Sequence, residues 1–293
     1  EVRGDYYNLD VIASGKENVS RFLASVGSSL SWPIIRTGKH ADILFTPKIM
    51  GAWGPSDVND EAIPLEDTLL AELEETRLFE ANAFGNYDLY EGGGRLAAGF
   101  TGEIKLRSGQ SLSAVAGRRW REFSDPNFDE ASNLEGTSSD WVGGIALNLR
   151  SLLKADAQFR LDEENFALNR IDANLSTKIS NLSVEARYFR IDEDIRPGIN
   201  QTDEGLELSA NLNLFENYSV SYGQLIDLTE KINLRRQIGI AYEDDCSRFE
   251  LIYTQSGFED RTISGNNSFM FRFTLATIGE FGNRTSFINS GNN

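Results

Sequence analysis

The sequence has 293 residues, a formal net charge of −17 and 40% hydrophobic residues, with one Cys and one His. That charge argues against a nucleic-acid surface, which would be basic, and against polybasic attachment to a membrane surface. A single Cys leaves no internal disulfide and no thiolate metal cluster, and the single His, His40, argues against Ser-His and multi-His zinc chemistry.

No apolar run approaches the ~18 residues of a spanning helix. The first residue is Glu1 rather than Met, as in a fragment or a processed chain whose signal segment is removed or lies upstream. Along the chain the dominant periodicity is two, and helical periodicity is nearly absent. The pattern predicts about fourteen strands, over residues 5–13, 21–36, 41–54, 95–109, 110–124, 140–151, 152–162, 166–179, 181–192, 204–216, 218–229, 231–244, 247–257 and 267–279. Between Arg95 and Arg107 one face carries Leu96, Ala98, Phe100, Gly102, Ile104 and Leu106; the other carries Arg95, Thr101, Glu103, Lys105 and Arg107. Leu206, Leu208, Ala210, Leu212 and Leu214 oppose Glu207, Ser209, Asn211 and Asn213 in the same way. In the last strand Phe269, Phe271, Phe273 and Leu275 oppose Met270, Arg272 and Thr274. No linker interrupts the series, so residues 1–293 read as one all-β domain.

A β-sandwich also alternates, so the connections carry the decision. The long ones, 55–94, 125–139, 193–203 and 258–266, fall on one rim; the tight ones, near 37–40, 108–110, 151–152, 180, 217, 230 and 245–246, fall on the other. That layout is expected of an antiparallel transmembrane β-barrel. The strands exceed the usual length of about 5–6 residues and reach the roughly 9–11 that cross a bilayer when tilted. The apolar face then meets lipid and the polar face lines a wet lumen. Trp141, Tyr188, Tyr222, Tyr242, Phe249, Tyr253 and Phe281 lie near strand ends, where they serve as interfacial girdles or as ordinary strand aromatics. If the chain ends in the periplasm, the loop 258–266 is extracellular and the turn holding Cys246 is periplasmic, an oxidising compartment. Cys246 is there either a free turn thiol or half of a bond to a Cys elsewhere.

Two strings are distinctive: EDTLLAELEETRLFEANAFGNYDLYEGGGRLAAGF, from Glu66 to Phe100, and the closing stretch from Ile238 to Gly282. Both resemble the LPS-assembly protein LptD family, most closely its alphaproteobacterial members, and the resemblance runs in order along essentially the whole chain. In the first string it rests on Leu78, Phe79, Phe84, Asp88, Glu91, Gly93 and Arg95. In the second it rests on Cys246, Phe249 to Leu251, Phe271 to Phe273 and Gly279 to Gly282.

The resemblance implies an outer-membrane component that assembles lipopolysaccharide into the outer leaflet through a barrel lumen and a lateral gate, with no catalysis and no cofactor. It implies that this chain is the C-terminal half of a larger barrel, without the N-terminal periplasmic jelly-roll and first barrel strands. Its partners would be lipopolysaccharide, outer-membrane lipid, an LptE-like lipoprotein plug and an LptA-like periplasmic bridge. Cys246 would pair with a cysteine near the N-terminal domain, although better-known members carry two adjacent Cys where Asp245 and Cys246 stand here. The strand 267–279, with Phe269, Phe271, Arg272, Phe273 and Leu275, would form one edge of the gate; those aromatics read equally as plain lipid-facing residues.

Other candidates read more plainly. Arg187, Asn211, Asn213, Arg235 and Arg272 suit a lumen lining. The acidic residues Asp57, Asp60, Glu61, Glu66, Asp67, Glu72, Glu74 and Glu75 offer oxygen ligands to divalent cations, but without a fixed ligand spacing they read as a solvated loop and no metal site is expected. The Gly92-Gly93-Gly94 run lacks a phosphate-loop Lys and a following helix. The competing readings are a porin-like channel of about fourteen strands, an outer-membrane hydrolase and a secreted sandwich.

Overall fold

The computed structural model describes residues 2–8, 18–56, 58–60, 62–63, 72–83, 88–125, 128–195, 201–257, 266–275 and 279–281. The chain divides into two compact units: residues 1–146, 158–170 and 192–200 form the first, and residues 147–157, 171–191 and 201–293 form the second. The first holds β1 (Val2–Asn8), β2 (Asn18–Ala24), β3 (Val26–Ser31), β4 (Ile34–Thr37), β5 (Ala41–Gly54), β6 (Gly93–Leu106), β7 (Ser111–Arg121) and most of β8 (Trp141–Asn148). Residues of β9 (Leu153–Leu161) and β10 (Leu168–Ile179) belong to both. The second holds β11 (Leu182–Ile191), β12 (Asp203–Leu214), β13 (Tyr218–Asp227), β14 (Ile232–Glu243), β15 (Ser247–Ser256), β16 (Asn267–Leu275) and β17 (Gly279–Phe281).

The strand order follows the sequence from β5 to β17, with β3 and β4 both pairing with β5. Each neighbour is the next strand in the chain, the up-and-down antiparallel connectivity that the hairpin series predicts. Tight turns join β6 to β7, β8 to β9, β10 to β11, β12 to β13 and β14 to β15, as the alternation predicts; the turn near residue 230, expected among them, joins β13 to β14 and so lies at the opposite strand ends. Gly109, Arg150, Ser180, Phe215 and Lys231 each stand in one of them with positive φ, the left-handed conformation that lets a short connection reverse the chain.

The first two predicted strands differ from expectation. The strand expected over 5–13 is β1, and it pairs with β2 in a separate two-stranded sheet. The strand expected over 21–36 is three pieces. Pro33 falls in the gap between β3 and β4, and Pro47 lies in the β5 stretch opposite that gap. Neither residue has an N–H for the ladder, so the regular pairing is interrupted there, and the Trp32 N–H donates to the Pro47 carbonyl at 3.1 Å across the gap. The strand expected over 267–279 ends at Leu275, and the short β17 pairs with its last three residues, Phe273 to Leu275. The expected gap 258–266 lies, except for residue 266, outside the described residues.

The two faces of the strands are inverted relative to a soluble protein. In the first unit Ile43, Phe45, Ile49 and Trp53 on β5 and Leu96, Phe100 and Ile104 on β6 are all exposed, while Arg95, Arg119 and Arg121 are buried. In the second unit Ile238, Ile240, Phe249, Leu251, Phe269 and Phe271 are exposed, while Gln237 and Arg272 are buried. Arg and Lys are almost never fully buried in water-soluble folds, and exposed apolar surface on this scale marks a lipid-facing or interaction surface. The ladder explains how lipid is tolerated: strands paired along their length leave few backbone groups without partners. A secreted sandwich would turn the same apolar face onto a second sheet, and among the described residues the only other sheet is the β1–β2 hairpin.

Aromatic residues band the exposed face of the second unit beside its tight turns. Tyr218, Tyr242, Phe249 and Phe273 are successive cross-strand partners, with ring centroids 5.1, 6.5 and 4.6 Å apart along the row. In the first unit Trp141 stacks on Phe166 at 6.1 Å, and the Arg118 guanidinium lies 5.3 Å from Trp120 and 5.5 Å from Trp141. Amphipathic rings and snorkelling Arg side chains are what an interface favours.

The inversion is testable in lipid vesicles. Ile238→Arg places a cation near the middle of β14 on the apolar face and is expected to destabilise the full-length protein by about 2–4 kcal/mol in urea unfolding. Thr254→Arg, on the opposite face of β15, is expected to cost less than half as much.

Candidate functional site

In the first unit a folded cap covers the polar face of β5 to β8. Its described chain comes from two connections, residues 72–83 and 88–92 before β6 and residues 128–140 after β7. Leu73, Leu78, Ala83 and Leu89 from the first and Phe128 and Leu134 from the second pack on Met50, Ala52, Ala97 and Val142 of the strands, with Phe79 beside them. Two glycines make room. A Cβ on Gly117 would lie 2.6 Å from the Leu78 side chain and 2.5 Å from the Ala98 carbonyl oxygen. Gly93 has φ +73°, and a Cβ there would meet the Phe123 ring at 2.4 Å. Larger residues would hold the loop off the sheet.

The cap is fastened by buried charge. Glu91 and Arg119 both have 0% exposed side chains. The Arg119 Nε and Nη2 donate to the two Glu91 carboxylate oxygens at 2.9 and 2.6 Å, a bidentate pair. The same guanidinium donates to the carbonyls of Leu78, Glu80 and Ala81 at 3.3, 2.8 and 3.3 Å. One strand side chain thus ties down the loop at four places. The Ala83 N–H donates to Glu91 at 3.2 Å, and the Arg121 Nε stands 3.6 Å from it. Arg95 donates to the Glu91 carbonyl and lies over the Tyr90 ring at 5.5 Å. Arg121 donates to the Leu134 carbonyl and lies over Phe128 at 4.9 Å.

A second knot links the cap to β9 and β10. The Arg160 Nε donates to Asp140 at 2.7 Å, and its other nitrogens reach the carbonyls of Glu130 and Ala131 at 3.0 and 3.2 Å. Glu72 pairs with both Arg160 and Arg170. Burial pushes the Glu72 carboxyl above its usual range, with the two guanidiniums opposing. Its folded pKa is therefore raised, so its contribution persists on acidification and weakens as pH rises through the folded value. Arg21 of β2 donates to the Asp88 carbonyl at 2.8 Å and to Asp5 at 2.9 Å, which joins the separate hairpin to the cap.

The family loop motif therefore converges. Leu78 is fully buried and Phe79 half-buried in the cap core, Asp88, Glu91 and Arg95 are buried, and Gly93 is the left-handed hinge. Phe84 lies outside the described residues, as do Asp57, Glu61, Glu66 and Asp67. Glu72 is not a solvated loop residue, because folding places it between two arginines; among the described residues no group of His, Cys, Asp and Glu side chains suits a metal ion.

The other predicted residues lie in the second unit. Cys246 is exposed in the turn before β15, and no thiol partners it among the described residues. Asp244 shapes that turn by accepting from the N–H groups of Cys246 and Ser247 at 3.0 and 2.8 Å, and those two bonds hold its carboxyl below the usual range. On β16 Phe269 and Phe271 are exposed, Phe273 and Leu275 are half-buried, and Arg272 points to the other face, where it pairs with Glu250 at 3.0 Å. Arg119, Arg121 and Arg160 escaped the sequence reading. Their signal was parity, since Gly117, Arg119 and Arg121 alternate with Trp120.

Removing one partner of a buried ion pair leaves the other unmatched, at a cost of about 3–5 kcal/mol. Glu91→Ala in the full-length protein is therefore expected to release residues 72–92 to protease, whereas Glu74→Ala, at an exposed position, leaves cleavage at the wild-type rate.

Comparison with known proteins adds the family. The model of the family described as LptD, LPS transport system D, matches residues 1–218. The matched stretch holds the cap and its motif and ends before Cys246. No curated protein matches the chain. Three solved structures illustrate the similarity found. A structure titled "Asymmetric conductivity of engineered proteins" is 11% identical, covering 87% of this chain and 95% of that one at a TM-score of 0.29. Outer membrane phospholipase A from Escherichia coli is 10% identical, covering 88% and 81% at 0.24. Salmonella typhi OmpF in complex with daunomycin is 10% identical, covering 89% of each chain at 0.28. The chain belongs to the LptD family, the LPS transport system D, and is an all-β component of lipopolysaccharide transport in the outer membrane.

Proposed function

We propose that this chain is the C-terminal part of the barrel wall of a translocon that assembles lipopolysaccharide into the outer leaflet, with the polar face as conduit and β16 beside a lateral gate. The observation that carries the reading is the convergence of the family motif on one cap over the polar face. Leu78, Glu91, Gly93 and Arg95 hold that loop against strands whose opposite face is apolar, and the Asp88 carbonyl ties it to Arg21 of the β1–β2 hairpin. A water-filled porin-like channel has no need of a buried apolar core over its polar face. The family is a transport component, which leaves no catalytic step to assign.

In this proposal the acyl chains leave along the apolar face near Phe269 and Phe271, while the sugars follow the polar face. Asn267 to Arg272 have β15 on one side and, among the described strands, no ladder partner on the other. An edge of that kind re-pairs readily. Cys246, exposed in a rigid turn, would bond to a cysteine of an N-terminal periplasmic domain and hold that domain in register; an LptE-like lipoprotein and an LptA-like bridge would be its protein partners.

Two experiments test this reading. Full-length protein from native outer membranes is expected to change gel mobility with reductant, and Cys246→Ser is expected to abolish the change. A mobility unaffected by reductant in both proteins would remove the disulfide. A photo-crosslinker at Phe269 is expected to capture lipopolysaccharide, and one at Ile49, on the apolar face of β5, to capture at least about tenfold less. Equal capture at both positions would remove the gate.

A further inference from the structure

A second polar site in the first unit adjoins the knot that links the cap to β9 and β10. Residues 130–140, the connection 162–167 between β9 and β10, and Ile195 enclose a cavity of about 310 Å³. That is near the lower end of the ~300–1,000 Å³ of small-ligand sites, a size suited to one sugar ring. Glu130, Glu135, Asp140, Asp162 and Glu163 line it with a single cation, Arg160. Asp140 is matched by Arg160 and Glu163 by Arg118, and the remaining Glu130, Glu135 and Asp162 leave the lining net negative, which repels a phosphate or a carboxylate ligand. The same oxygens accept hydrogen bonds from hydroxyl groups, which a neutral sugar supplies in number.

A separate observation shows a donor waiting for an acceptor. Asn133 lines the cavity and is 5% exposed. Its Oδ1 accepts from the Asp140 N–H at 2.7 Å, which fixes the orientation of the amide. The remaining Nδ2 has no partner among the described residues. A buried donor without an acceptor carries a desolvation cost that a ligand oxygen relieves. The position is held from both sides. Asn133 has φ 61° and follows a short turn of helix, Glu130–Ser132, whose first turn is capped by Asp129. Asp140 is fixed by Arg160, Asn169 and the Glu163 N–H at 2.7, 2.8 and 3.1 Å. Ile195, 5% exposed, adds an apolar wall for the carbon face of a ring.

We propose that this cavity binds a neutral sugar ring through Asn133 and the surrounding carboxylates. The assignment of that ring to the saccharide part of lipopolysaccharide rests on the transport reading above. The cavity lies between the connection after β7 and the short connection from β9 to β10. The site selects by hydroxyl pattern and rejects the phosphorylated portion of the same molecule.

Saturation-transfer NMR on full-length protein in detergent micelles tests the proposal. The probes are methyl glucoside, methyl galactoside, N-acetylglucosamine, glucosamine and calcium chloride. At least one neutral sugar is expected to give a saturable signal that survives EDTA. Asn133→Asp keeps the acceptor for the Asp140 N–H and tolerates the left-handed backbone, while it exchanges the Nδ2 donor for a negatively charged acceptor. It is expected to weaken binding at least about tenfold. Glu135→Gln, at an exposed wall position, supplies a second variant that leaves folding alone and is expected to weaken binding several-fold. No saturable neutral sugar, unchanged binding in both variants, binding of glucosamine alone, or binding of calcium alone would each overturn the proposal. Reductant-sensitive mobility is measured on the same preparations. If it persists while sugar binding fails, the cavity assignment falls and the translocon reading stands.

Discussion

Strand parity governs this molecule. Side chains at alternate positions point to opposite faces, and here the exposed face is the apolar one, from Ile43 and Phe45 on β5 to Phe269 and Phe271 on β16. Once that face is given to lipid, charged residues of opposite parity are turned to the other face, where those under the cap are buried. Arg95, Arg119 and Arg121 are the consequence in the first unit, and Gln237 and Arg272 in the second. A one-residue slip in register would exchange the two sets, so the tight turns that fix register also fix the chemistry of both surfaces.

The cap follows from that constraint. Three guanidiniums on adjacent positions of β6 and β7 are costly to bury, because an isolated buried charge costs far more than any single contact returns. Glu91 supplies a carboxylate to Arg119 and stands 3.6 Å from Arg121, Asp125 stands 4.0 Å from Arg121, and the loop carbonyls of Leu78, Glu80 and Ala81 use the donors that remain on Arg119, while Nε and Nη2 of Arg95 have no hydrogen-bond partner among the described residues. The apolar contacts of Leu73, Leu78 and Leu89 add the non-directional part, each worth roughly 1.5–3 kcal/mol when fully buried. Burial therefore supplies the bulk of the attachment, while the ion pairs set where the loop sits.

The sequence carries much of this. Alternation at Leu96 to Leu106 and at Phe269 to Leu275 predicted the strands and their faces, because period two survives wherever one face meets a uniform medium. Loop lengths predicted the hairpin order. The break at Pro33 was misread because the run 21–36 keeps its apolar content while losing its donors. The motif residues Leu78, Asp88, Glu91, Gly93 and Arg95 were picked out in the sequence, but their purpose was not. Glu91 finds its partner on Arg119, 28 positions away in sequence, and nothing local encodes that distance. The acidic stretch around Glu72 looked solvated for the same reason, since Arg160 and Arg170 come close only through the fold.

Spin labels along β14 test the account most directly, since parity underlies the cap, the girdle and the gate. Single Cys substitutions from 237 to 241, in a background of the full-length protein in which Cys246 and every other native Cys are replaced by Ser, would be labelled and reconstituted in lipid vesicles. Accessibility to oxygen, which partitions into hydrocarbon, would then be compared with accessibility to a water-soluble nickel chelate. The account predicts high oxygen accessibility at positions 238 and 240 and low values at 237, 239 and 241. A reversed pattern, or one without alternation, would contradict it, because the buried arginines would then have been placed on the wrong side of the wall.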